Sequence, residues 1–144
     1  MSIDEQILAD RVVSAMMAKD AFSRWLGIEL VEVRPRGVTA TLTVRNDMLN
    51  GFGVCHGGVT FSLADSALAF ASNTHGRLTV SIENSITYPA RIVEGDVLTA
   101  VAEEEGATNR LGFYRVTVRR AEDIVALFRG TVYKTSQEFF PNPE

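Results

Sequence analysis

One carboxylate, Asp65, stands inside a run that is otherwise almost free of charge: NGFGVCHGGVTFSLADSALAFASN, residues 50–73. An acid withdrawn from water must be paired, protonated or turned toward a cavity, because an unpaired buried charge costs several kcal/mol or more. It could accept bonds from neighbouring serines or a backbone N–H and only position the segment, or it could serve as a base or a nucleophile. Upstream, His56 is followed by Gly57 and Gly58 where the apolar run begins. If that run is a helix, its first N–H groups lack intrahelical partners and sit at the positive end of the dipole, and glycine lets a ligand oxygen come close. This suits the oxyanion of an acyl-transfer intermediate, for which one preorganised donor is worth about 100- to 1,000-fold in rate.

The spacing constrains how donor and acid could meet. Gly57 and Asp65 are eight residues apart, about 12 Å along a helix. One carbonyl group and its attacking water do not easily touch both. Two copies packed with these helices antiparallel across a two-fold axis would bring Gly57 of one against Asp65 of the other and form two equal sites.

The elements around them follow from periodicity. In the central segment, about 57–73, Val59, Phe61, Leu63, Ala64, Ala67, Leu68, Ala69, Phe70 and Ala71 run nearly all round a helical wheel, with no lysine, arginine or glutamate. A helix of that kind is enclosed by protein, here by a curved sheet on one side and by a second copy on the rest. Ahead of it, Ile7, Leu8, Val12, Ala15 and Met16 have helical spacing. Asp20 can cap a short second helix, AFSRWL, that Gly27 stops and that Phe22, Trp25 and Leu26 anchor, so the N-terminal helices occupy about 4–26. IELVEVR and VTATLTVR form a hairpin around Pro35-Arg36-Gly37. Four further strand-like runs follow the helix: LTVSIENSITY, DVLTAVAEEE, LGFYRVTVRR and IVALFRGTVYKT. Short connections make successive strands antiparallel neighbours, and FFPNPE at the end is expected to fray. The fold class is α+β: a long central helix wrapped by a six-stranded antiparallel sheet, in a single domain spanning 1–144.

Composition narrows the function. A net charge of −4 disfavours a nucleic-acid surface, and the longest apolar run is too short to span a bilayer. A single cysteine, with no signal-peptide pattern in MSIDEQ, places the chain in the cytoplasm by expectation. Two histidines and one cysteine make no metal site. Cys55 beside His56 is a poor catalytic pair, since adjacent residues of extended chain point apart. His75, just past the helix, is expected to be a solvated C-terminal cation.

NGFGVCHGG followed by FSLADSALAFASN, then TYPARIVEGDVLTA and VALFRG, resembles the hot-dog-fold acyl-CoA thioesterases, most closely the phenylacetate-degradation branch, from about Ala21 to Lys134. The resemblance implies a dimerising fold, with dimers pairing into tetramers. It assigns the catalytic acid to Asp65, the carbonyl-polarising N–H to Gly57, and the flanking polar roles to Asn50 and His56; some relatives carry a polar residue or histidine where Phe52 stands. It implies no metal or organic cofactor, coenzyme A arriving with the substrate. The usual places of the loops in this fold put Arg91, Asn109 and Arg110 near the coenzyme phosphates, and Leu49, Phe52, Gly58 and Phe61 at the acyl group. Aryl-acetyl thioesters such as hydroxylated phenylacetyl-CoA are the implied substrates. The alternatives are a hydratase or dehydratase of acyl thioesters and a non-enzymatic acyl-CoA-binding module.

Overall fold

Charges complementing the helix dipole open the chain: in α1 (Ile3–Lys19) Asp4 and Glu5 occupy the first turn and Lys19 the last. The computed structural model describes residues 3–141. Asp20 caps α2 (Ala21–Leu26), accepting the Ser23 N–H at 2.9 Å, and Gly27 ends it at φ 79°, a left-handed conformation suited to glycine. The expected aromatic anchors of α2 are not buried. Leu26 and Ser23 point inward, whereas Phe22 and Trp25 are 54% and 64% exposed. Six residues offer a single inward stripe, and Ser23 takes part of it by bonding Ser66 at 2.8 Å.

β1 (Glu29–Arg34) and β2 (Gly37–Thr43) form the expected hairpin. In β2, Val38, Ala40 and Leu42 are buried and the intervening threonines less so, as befits a strand with one face in a core. A short 3-10 turn, Asn46–Met48, and an irregular loop lead to the long helix α3 (Gly57–Asn73). Then come β3 (Arg77–Thr87), β4 (Val97–Ala107), β5 (Leu111–Arg120) and β6 (Asp123–Glu138). The sheet is six-stranded and antiparallel, in the order β1-β2-β4-β5-β6-β3.

That order corrects one expectation. β3 and β4 are successive but not neighbours, because the segment joining them spends its backbone bonds elsewhere. The Ile92 carbonyl accepts the Cys55 N–H at 2.8 Å, and Gly95 and Asp96 exchange bonds with Val44 at 2.8 and 2.9 Å. The chain is thereby carried past the start of α3 to the side of β2, and β3 remains an edge strand.

The inner face of the sheet is built from small residues, Ala40, Ala100, Ala102 and Ala126, interleaved with Leu42, Leu98, Val116, Val118 and Phe128, all buried. Against them lie Leu63, Leu68 and Phe70 of α3, fully buried, each contributing about 1.5–3 kcal/mol. Closest approach falls at Gly130 of β6, where a Cβ would lie 2.6 Å from both Leu68 Cδ2 and Asn84 Oδ1. The outer flank of α3 is covered partly by the chain itself, through Ala9, Val12 and Val13 of α1 and through α2, so a second copy is not needed along its whole length. The tail is also tied down further than expected. Phe139 N–H donates to Gly76 C=O at 2.8 Å, and the Arg11 guanidinium stacks 4.1 Å over Phe140. Residues 142–144 lie outside the described ones.

Candidate active site

The loop before α3 is a self-bonded turn. Asn50 donates its N–H to Val54 C=O at 2.8 Å, and its Oδ1 accepts the N–H groups of Phe52 at 2.9 Å and Val54 at 3.3 Å. The Asn50 side-chain oxygen is therefore committed to the turn, which leaves its amide hydrogens for a ligand. Leu49 bridges Cys55 across the loop, and His56 N–H donates to Met48 C=O at 2.8 Å. His56 is delivered in this way to the N-cap of α3, where its Nδ1 accepts the Gly58 N–H at 2.9 Å. An accepting Nδ1 puts the proton of the neutral ring on Nε2.

The consequence for the helix start is selective. Gly58 N–H is spent on His56, whereas Gly57 N–H meets no acceptor among the described residues. Gly57 thus offers an open N–H at a helix N-terminus, flanked by an exposed glycine. The carbonyl of the same Gly57 accepts the Tyr88 hydroxyl at 2.8 Å.

Asp65 lies two turns further along α3 and is half-buried. Burial pushes its carboxyl above the ordinary aspartate value; Asn84 opposes this by donating to the carboxylate, and the charge of Asp20 adds to it. The bond from Asn84 Nδ2 to Asp65 Oδ1 is long, at 3.3 Å, and Asn84 is itself oriented by the Ser81 hydroxyl, which donates to its Oδ1 at 2.8 Å. The serine reading of Asp65 is not what the structure shows: Ser66 turns to Ser23, and Ser62 donates to Gly58 C=O at 2.7 Å.

Asn84, Ser81 and Tyr88 are the residues that sequence reasoning missed. A signal existed, since strand parity from the core-packed Ile86 puts Asn84 and Tyr88 on its face. For Ser81 that parity fails, because the β3–β6 register shifts between Ser81 and Glu83.

The remaining candidates divide. Phe61 is partly buried, edge-on to Phe128 at 5.4 Å, while Phe52 is 89% exposed at the loop tip and Gly58 is open to solvent. Arg91 is exposed in the β3–β4 connection, its carbonyl held by Arg120 at 2.7 Å, near the start of α3. Asn109 and Arg110 occupy the β4–β5 turn, beside a shallow cavity of about 310 Å3 that Arg77, Tyr133, Lys134 and Ser136 complete. Arg77 Nη1 donates to Asn109 C=O at 3.1 Å, so this turn sits at the far end of α3. Within one chain Arg91 and Arg110 are not brought together.

Two histidine and cysteine readings are settled by surroundings. Cys55 is buried, its thiol pushed up by burial and directed toward His56 C=O and Thr60. His75 is no solvated cation. Its Nδ1 accepts the Arg77 N–H at 3.1 Å, and burial, then Lys134 and Arg77, lower it to about 4. No group of three or more metal-ligating side chains occurs among the described residues, and none of the described helices is long and apolar enough to cross a membrane.

Comparison with known proteins agrees with this geometry. The family description "Thioesterase superfamily" matches residues 52–127. A putative esterase of Archaeoglobus fulgidus is 38% identical over 93% of this chain and 88% of its own length. The acyl-coenzyme A thioesterase PaaI of Escherichia coli is 37% identical over 83% of this chain and 86% of its own. The solved structure of that PaaI protein, from the phenylacetic acid degradation operon, superposes with a TM-score of 0.90 at 34% identity, covering 92% of this chain and 97% of that one. A hypothetical thioesterase of Streptococcus pneumoniae, solved with coenzyme A, gives a TM-score of 0.80 at 26% identity, covering 86% and 98%. With its antiparallel sheet wrapped on one long helix, the chain belongs to the thioesterase superfamily and has the hot-dog fold.

Proposed function

We propose that this protein hydrolyses acyl-CoA thioesters to the free acid and coenzyme A, with Asp65 as the general base or the nucleophile and Gly57 N–H as the donor to the carbonyl oxygen. The observation that carries the reading is the contrast at the helix start, where Gly58 N–H is satisfied by His56 and Gly57 N–H is left open. As general base, Asp65 takes a proton from water while the oxygen attacks the thioester carbon. The oxyanion forms against Gly57 N–H, then collapses with loss of the coenzyme thiolate, which is protonated. As nucleophile, Asp65 attacks the thioester carbon and expels the coenzyme thiolate, which is protonated, and water then opens the mixed anhydride to the free acid and the Asp65 carboxylate. A carboxyl held above its usual value is the better base at neutral pH. Neither route needs a metal or organic cofactor. Oxygen label from heavy-oxygen water found in the Asp65 side chain after a single turnover would identify the nucleophilic route.

The site is composed across a homodimer. In support, β3 is an edge strand with Val80 46% and Ile82 58% exposed, an open template for a second copy of itself. Pairing there continues the sheet and lays the two α3 helices antiparallel, so that Gly57 of one protomer faces Asp65 of the partner subunit. Asn50 Nδ2 and His56 Nε2 then flank the carbonyl or its water. Leu49, Phe52, Gly58 and Phe61 line the acyl group, and Arg91, Asn109 and Arg110, from opposite ends of the helix, approach the coenzyme phosphates. An aryl-acetyl group is the acyl class we favour, by likeness to the phenylacetate-operon relative. Cytoplasmic residence and pairing of dimers belong to the same proposal.

The test is thiol release over short, medium, branched and aryl acyl-CoAs. Asp65→Asn is expected to lose about 1,000-fold or more in kcat. Gly57→Pro removes the N–H at a helix position that tolerates proline, and is also expected to be nearly inactive. Co-expressing the two variants should restore about a quarter of the parent activity if each site takes one group from each protomer, and none if it does not. Hydration of an enoyl-CoA without free thiol would replace the hydrolase reading with a hydratase.

A further inference from the structure

We propose that Tyr88 is a positioning residue for the thioester-hydrolysing site, fixing the Gly57–Gly58 peptide through its hydroxyl; this rests on the reading of Gly57 N–H as the carbonyl donor. A donor stabilises an oxyanion only when it is already aimed, and two successive glycines are the least restrained backbone a chain offers. Something outside the dipeptide must hold it. The peptide unit joining Gly57 to Gly58 is gripped at both ends: its N–H donates to His56 Nδ1 at 2.9 Å, and its C=O accepts from Tyr88 Oη at 2.8 Å. His56 is adjacent in sequence, but Tyr88 arrives from a different element, thirty-one residues on. Its ring packs directly on the glycine, since a Cβ at Gly57 would lie 3.1 Å from Tyr88 Oη and 3.2 Å from Cζ.

The placement of Tyr88 follows a length match. β3 and the residue that follows it run antiparallel to the first half of α3, touching Asp65 through Asn84 and Gly57 through Tyr88. Four strand residues span about 13 Å, and the eight helix residues from Gly57 to Asp65 span about 12 Å. Asn84 and Tyr88 also share strand parity, so both side chains reach the same side. The edge strand thus pins the donor end and the acid end of α3 at a set separation. Burial, with the neighbouring Cys55, holds the phenol above its ordinary value, so the hydroxyl keeps its proton and remains a donor through the neutral range.

Tyr88→Phe keeps the ring and removes the bond. For an acyl-CoA that the parent hydrolyses, kcat is expected to fall about 3- to 10-fold with KM changed less than about twofold. The Gly58 amide should also exchange faster with solvent in the variant. Gly57→Ala, whose Cβ would crowd the hydroxyl at 3.1 Å, should lower kcat by itself, and adding Tyr88→Phe to it should lower kcat by less than Tyr88→Phe does in the parent. A parent inactive on every acyl-CoA removes the hydrolase reading and this inference with it. A parent that turns over, beside a Tyr88→Phe variant with unchanged kcat, with an effect confined to KM, or with effects additive to those of Gly57→Ala, overturns the positioning role alone.

Discussion

The two ends of α3 are built on opposite plans. At the C-terminal end every polar side chain is buried and committed. Asn73 Nδ2 donates to Ala69 C=O at 2.8 Å and Thr79 C=O at 3.1 Å, while its Oδ1 accepts the Thr79 N–H at 2.8 Å. Thr74 Oγ1 donates to Ala71 C=O at 2.8 Å and accepts the Arg36 N–H at 2.8 Å. At the N-terminal end His56 and Gly58 are exposed, and the Gly57 N–H has no acceptor among the described residues. A buried polar group left unpaired costs about 1–3 kcal/mol, so the C-terminal knot is where breakage would be expensive. The open end sits at the surface, where water can serve the N–H until a ligand replaces it. One helix end anchors the fold and the other is available for chemistry.

That contrast can be broken experimentally. The widest separation is expected between Gly57→Pro and Asn73→Ala. The first should cut kcat about 100-fold or more and cost no more than about 1 kcal/mol of stability, through the strained Tyr88 contact. The second should cost about 2–4 kcal/mol in chemical denaturation, with kcat per folded molecule retained. If Asn73→Ala instead spared stability, the anchoring role would be wrong.

Asn84→Ala lies between the two. The amide favours the carboxylate form of Asp65, so its loss should move the acid limb of the kcat/KM profile to higher pH. At neutral pH and below, kcat should fall by about tenfold. A limb that moved to lower pH would contradict the bond.

The smallest effect is expected from His75. Its folded value, about 4, lies below the ordinary 6.5, so the unfolded chain binds the extra proton between those values. The stability tied to a neutral ring is therefore complete above about pH 6.5, is lost as pH falls toward 4, and changes no further below. With solvent still reaching the ring, the difference is on the order of 1 kcal/mol. It should show as a shallower acid limb of stability in His75→Gln than in the parent.

Much of this was legible in the chain. The apolar wheel of Val59–Ala71 called for an enclosing sheet, the alternation of Val38–Val44 showed a one-sided strand, and Asp20 and Gly27 marked the limits of α2. The lone acid and the Gly-Gly at the helix start stood out because charge and glycine are conspicuous in an apolar run. Asn84, Ser81 and Tyr88 stayed hidden, because their importance comes from what they face across β3 and not from their type. His75 was misread for the same reason. A histidine after a helix looks solvated until the turn that buries it is known.

The sequence by itself determined the local pieces, since periodicity, capping and turn chemistry act over a few residues and need no knowledge of the rest. It also set an acid and a Gly-Gly pair eight residues apart or fewer in one apolar run. Tertiary structure alone decided which strands became neighbours. The bonds of Ile92, Gly95 and Asp96 to Cys55 and Val44 carry the chain past β3 to β2, and no local propensity encodes such a path. It also decided that of two adjacent glycine N–H groups one is consumed by His56 and the other is open, a matter of where a ring and a hydroxyl from separate elements come to rest.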